Sequence, residues 1–133
     1  MKRVKAIIVS IVSVCVIMMS LQLSVFAANS GPLTVYLPGH QGDIEVSTIA
    51  RASNSNTFNV NITFIGLGTD KIRAWTEGPL GKNFSNVYTQ IGVGNHSLTY
   101  TTVPAVGTNV TLNMDNPVYL EYSVHVDFSW TPN

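Results

Sequence analysis

Three histidines, seven carboxylates and scattered hydroxyls are the groups from which any catalysis or metal binding would have to be built. His125 and Asp127 stand two apart, with Glu121 further along the same alternating run, so an extended strand would place all three on one face. Neighbours at i and i+2 lie ~7 Å apart, so they share a metal only through favourable rotamers. A solvated polar strand face accounts for them more simply. His40, in Pro38-Gly39-His40-Gln41-Gly42-Asp43, and His96 read as polar turn residues. A hydrolytic triad would need a serine, an imidazole and an orienting carboxylate, and no Gly-x-Ser-x-Gly elbow or comparable context is present. Glu45, Glu77 and Glu121 could pair for glycoside hydrolysis, but nothing in their spacing singles them out. Asp43, Asp70 and Asp115-Asn116 offer oxygens for calcium only singly, without a ligand-dense loop. The residues predict no catalytic centre, no metal site and no cofactor.

Two glycine frames invite a phosphate-binding reading: Ile65-Gly66-Leu67-Gly68 and Ile91-Gly92-Val93-Gly94. A phosphate loop, however, leads from a strand into a helix whose N-terminus completes the site. Here strand-like sequence follows each frame, so two equivalent hairpins, with glycine supplying positive φ, are the expectation.

Aromatic side chains carry the most usable binding chemistry. In the run 71–76, Ile72 and Ala74 take one face and leave Trp75 with Lys71 and Arg73 on the other. Tyr36, Tyr88 and Tyr119 likewise fall on the polar faces of their segments. Exposed rings backed by Asn and Thr could stack on sugars or anchor a protein, because aromatics combine large apolar area with few rotatable bonds. The competing expectation is that a bulge turns Trp75 inward to the centre of the core. The candidate ligand-binding set is thus Trp75, Lys71, Arg73, Tyr36, Tyr88 and Tyr119.

The elements that must position these residues are strands. From 118 to 130, Val118, Leu120, Tyr122, Val124, Val126, Phe128 and Trp130 alternate with polar residues, which predicts one long half-buried strand with a bend or bulge. Over 57–65, Phe58, Val60, Ile62 and Phe64 are expected inward, and over 108–114, Val110, Leu112 and Met114. Weaker strands are expected at 33–37, 44–52, 71–76, 86–91 and 97–102, separated by Gly/Pro/Asn/Asp clusters. About seven to nine short strands with regular turn signals read as an all-β fold, an antiparallel sandwich of immunoglobulin-like or jelly-roll type.

Before that domain, Lys2, Arg3 and Lys5 precede an apolar run from Ala6 to Phe26, and Val25-Phe26-Ala27 offers small residues for cleavage. Residues 1–27 are therefore expected to be a secretory signal helix, with 28–133 a single exported β-sandwich. The run is also long enough for an uncleaved anchor, which is the alternative. The chain's one cysteine, Cys15, lies in this run, so the domain must stand without disulfides. Loss of residues 1–27 leaves Arg51, Lys71, Arg73 and Lys82 against seven carboxylates, a net charge of −3. That excludes the basic footprint of a nucleic-acid binder.

The stretch 57–130 resembles small secreted β proteins of Gram-positive bacteria that have a signal peptide, no cysteine in the domain and no assigned function. The resemblance is carried by Phe58-x-Val60, Gly68-Thr69 leading to Trp75, the Gly94 turn before Leu98-Thr99-Tyr100, and Tyr122-x-Val124. It implies secretion and a β fold, and brings no site with it. The expectation is a non-enzymatic extracellular protein that binds a cell-envelope glycan or protein, with no nucleic-acid partner and no membrane span once the signal is cleaved. A small antibacterial or membrane-active effector and a structural matrix protein are the alternatives.

Overall fold

Alternating apolar and polar side chains can bury one face of a strand only if a second sheet covers it, and this chain builds that second sheet from itself. The computed structural model describes residues 29–133; the expected signal helix at 1–27 lies outside the described residues. Eight strands form: β1 Ser30–Leu37, β2 Ile44–Ala50, β3 Thr57–Ile65, β4 Ile72–Glu77, β5 Tyr88–Ile91, β6 Gly94–Thr99, β7 Asn109–Asp115 and β8 Val124–Thr131. A single 3₁₀ turn at Pro79–Gly81 is the only helical element among the described residues.

The strands make two four-stranded antiparallel sheets. The front sheet has the order β1-β8-β3-β6 and the back sheet β2-β7-β4-β5. The first four strands thus pair with the last four in reverse: β1 with β8, β2 with β7, β3 with β6 and β4 with β5. Only the β4–β5 connection stays within one sheet; every other connection crosses between them. Between the sheets lie Leu37, Phe58, Val60, Ile62, Val124, Val126, Phe128 and Trp130 from the front, and Ile72, Ala74, Val110, Leu112 and Met114 from the back. No disulfide contributes, since the sequence has one cysteine.

Three local expectations are corrected. The strand expected over 118–130 begins only at Val124, and Val118 and Tyr122 are exposed. Residues 116–123 carry the chain from β7 in the back sheet to β8 in the front sheet, and the apparent alternation there belongs to a loop. Phe64, expected inward, is 46 % exposed. Opposite β8 the register shifts between Ile62 and Phe64, so one extra residue turns the Phe64 ring onto the outer face. The two glycine frames are not hairpins, because both cross from one sheet to the other. Their second glycines do need positive φ, +102° at Gly68 and +130° at Gly94.

The crossovers 38–43, 66–71, 92–93 and 116–123 gather at one pole of the sandwich. Gly39 sits under 116–123: Leu120 N–H donates to its carbonyl at 2.6 Å. A Cβ at Gly39 would collide with the carbonyl oxygens of Leu120 and Tyr122, which are backbone atoms with little room to yield. Gly39→Ala is therefore expected to cost about 1–3 kcal/mol. A lower urea midpoint with an unchanged m-value would show it.

Candidate functional site

The front sheet's outer face is built from the alternate residues of its strands that the core does not use. Across β1, β8 and β3, at the end near the crossover pole, three rings stand side by side. Tyr36 stacks on His125 with ring centres 5.2 Å apart and planes 22° apart. Phe64 meets the other side of His125, also at 5.2 Å, tilted by 55°. Strand spacing makes this an aromatic strip ~10 Å wide. Its outer rings are open to solvent, Tyr36 by 63 %.

Asp127 lies one step along β8 and ties the strip down. His125 Nε2 is 2.8 Å from Asp127 Oδ1, and Thr34 Oγ1 donates to the same oxygen at 2.6 Å. The Thr34 hydroxyl first, and His125 second, hold the Asp127 carboxyl below its usual range. Its stabilising contribution is therefore present above the unfolded-state value and lost as pH falls through the lower folded one. A hydroxyl, a carboxylate and an imidazole meet here, but the carboxylate sits in the middle. The imidazole is not on the hydroxyl and has no proton of it to take, so the order differs from that of a hydrolytic triad.

Further along the face the aromatics give way to amides. Asn61 stands between Ser129 of β8 and Asn95 of β6, and Asn59 stands between Thr131 and Ser97. Asn59, Asn61, Asn95, Ser129 and Thr131, with Asn29 and Trp130, line a shallow cleft of about 200 Å³. The distance along β8 from the His125 row to the Ser129 row is four residues, or ~13 Å. An aromatic strip and an amide cleft thus share one continuous surface.

The six residues expected to bind do not come together. Tyr36 lies on the front face as described. Trp75 is corrected on two counts: it is only 6 % exposed, and it is buried apart from the cluster between the sheets. It pairs with Asn113 on the outer side of the back sheet, flanked along β4 by Arg73 and Glu77, and its indole N–H donates to Glu77 Oε1 at 2.8 Å. Arg73 is committed to Asp115, with both guanidinium hydrogen bonds at 2.5 Å. Lys71 stands at the crossover pole beside Gly92.

Tyr88 is a strut. Its hydroxyl donates to Thr99 O and accepts from Thr99 N–H, both at 2.9 Å, and so closes the gap between edge strands β5 and β6 of opposite sheets. Tyr119 is exposed, but on the 116–123 loop with its ring edge-on to His40 at 4.9 Å. The strip residues His125 and Phe64 are not in the candidate ligand-binding set, and His125 enters the sequence reading only as a possible metal ligand. His125 was legible as an outward polar residue, whereas Phe64 reaches the surface only through the bulge.

No cluster of three or more His, Cys, Asp or Glu able to hold a metal occurs among the described residues. No protein-family model, curated protein or solved structure matches the chain.

Proposed function

We propose that the protein is exported and acts outside the cytoplasm as a non-enzymatic binding protein of the cell envelope, using the outer face of the front sheet. The observation that carries this reading is the row Tyr36–His125–Phe64, three rings assembled on the solvent side of a sheet. Rings that serve only the fold belong between the sheets, where Phe58, Phe128 and Trp130 are already buried. Rings left in water beside ordered polar side chains are the usual make-up of a recognition surface. The strand orders support the jelly-roll form of the sandwich, two interlocked Greek keys whose broad faces are available to partners. The basic, apolar N-terminal run supports export.

A membrane-active effector has one observation in its favour. Leu67, 89 % exposed, and Val93 project from the crossover pole together with Tyr122. One experiment separates the readings: purified protein is added to intact bacterial cells, and both retention on the envelope and viability are measured. Retention without killing is the expected result. Killing would transfer the function to the pole, and fibre formation without retention would favour a matrix protein.

A further inference from the structure

We infer that the ligand of the front face is a neutral oligosaccharide, lying along the strands with one ring on the Tyr36–His125–Phe64 strip and its hydroxyls over the amide cleft. This rests on the reading of the front face as the binding surface, and it adds the chemistry of what binds there.

Charge points to a neutral ligand. None of β1, β3, β6 or β8 contains lysine or arginine. The four basic residues of the described chain, Arg51, Lys71, Arg73 and Lys82, all fall in loops or in β4. Among the described residues, a polymer carrying phosphates or carboxylates would find no lysine or arginine on this face and would meet the Asp127 carboxylate. Such polymers are normally held by Arg and Lys.

The hydrogen-bonding inventory of the face points to hydroxyls. An asparagine amide offers both donors and an acceptor, and a hydroxyl offers one donor and two lone pairs. The Asn61–Asn95 pair with Ser129 alongside is therefore matched to neighbouring hydroxyls of a sugar ring, which themselves donate and accept. The strip supplies the other half of the match, since the C–H face of a pyranose packs against an aromatic ring.

Shape and patterning separate a glycan from a protein partner. The cleft, at about 200 Å³, is smaller than the ~300–1,000 Å³ of pockets that enclose a ligand. It suits a chain lying on the surface. A protein interface would centre on a closed apolar patch with a polar rim. Here the apolar strip lies at one end, and hydroxyls, amides and the Asp127 carboxylate cover the rest.

The test uses purified protein and isolated bacterial cell walls, left intact, protease-treated, or stripped of phosphate polymers with acid. Wild-type protein is expected to bind all three preparations. Binding should change by less than about twofold on going to 1 M NaCl, where charge interactions are screened within ~3 Å. Tyr36→Ala and Asn61→Ala, both at exposed or half-buried positions, should each weaken binding about tenfold in folded protein. Chitin and cellulose serve as defined neutral probes, and retention on either is expected to be lost in the same variants.

Binding that disappears with protease or acid, yet still needs Tyr36, would overturn the neutral glycan and leave the front face standing. Binding untouched by both substitutions would overturn the front face itself.

Discussion

Arg51→Met is expected to remove about 3 kcal/mol of stability or more, a large fraction of the ~5–15 kcal/mol of an ordinary domain. Arg51 is fully buried at the pole opposite the 116–123 loop, in the β2–β3 crossover. Its guanidinium donates to the carbonyls of Pro104 and Ser55, and it stands 5.4 Å from the centre of the Tyr100 ring. Its backbone also joins the loops, donating to Thr108 O at 2.9 Å and accepting from Gly107 N–H at 2.8 Å. No carboxylate is among its partners, so two carbonyls and an aromatic face carry the compensation for burying the charge.

Methionine fills similar space but leaves the buried Pro104 carbonyl and the part-buried Ser55 carbonyl without the guanidinium, and an unpaired buried group costs about 1–3 kcal/mol. Lysine should rescue little, because a single ammonium on a flexible stem does not reproduce the two-armed fork. Urea unfolding of wild type, Arg51→Met and Arg51→Lys measures this directly. A loss below about 1 kcal/mol for both variants would mean that the loops 51–56 and 100–108 do not depend on the guanidinium.

Arg73→Met is expected to destabilise by about 3 kcal/mol at neutral pH and by much less in acid. Asp115 is buried and receives two hydrogen bonds from Arg73. Burial pushes its carboxyl above the usual range, the Arg73 hydrogen bonds oppose this, and the facing Asp43 carboxylate adds to the upward push. The same pairing holds the Arg73 guanidinium in its charged form.

Without Arg73 only the upward influences remain. The folded state then keeps its proton to higher pH than the unfolded chain does. As pH rises from the unfolded carboxylate value of about 4, ionisation favours the unfolded state until the folded value is reached. The variant should therefore lose stability as pH rises through that window, and recover it below. Asp115→Asn in the same background should abolish this loss on raising the pH, leaving the opposite contribution of Asp127. Thermal unfolding at acid and neutral pH reads both effects.

Much of the architecture was legible because core positions repeat with the strand period. Phe58, Val60 and Ile62 set the bounds of β3, and Val110, Leu112 and Met114 located β7. The same rule misled at Val118, Leu120 and Tyr122, since alternation is necessary for a half-buried strand but does not make one. Only pairing reveals that no partner strand runs beside them. The glycine frames were legible as positive-φ positions at Gly68 and Gly94. Which sheets they join depends on strand order, which residue types do not encode locally.

The proposed binding face is legible in the sequence in kind more than in place. Aromatic rings among Asn and Thr are the chemistry on which the proposal rests, and of the six candidates Tyr36 stands on that face. Trp75 was drawn in by its position opposite Ile72 and Ala74, but the Glu77 hydrogen bond and close neighbours remove it from solvent. Phe64 was lost to the core because a one-residue bulge leaves no mark in composition.

The central claim is that the outer face of the front sheet does the binding, and a paired substitution tests it most directly. Tyr36→Ala/Phe64→Ala empties the strip, while Thr48→Ala/Thr111→Ala alters a hydroxyl pair at 2.8 Å on the outer side of the back sheet. Retention of each folded variant on intact bacterial cells is compared with wild type. The front-face variant is expected to lose retention by tenfold or more, with the back-face variant unchanged. Equal retention by all three proteins, or loss confined to the back-face variant, would contradict the assignment.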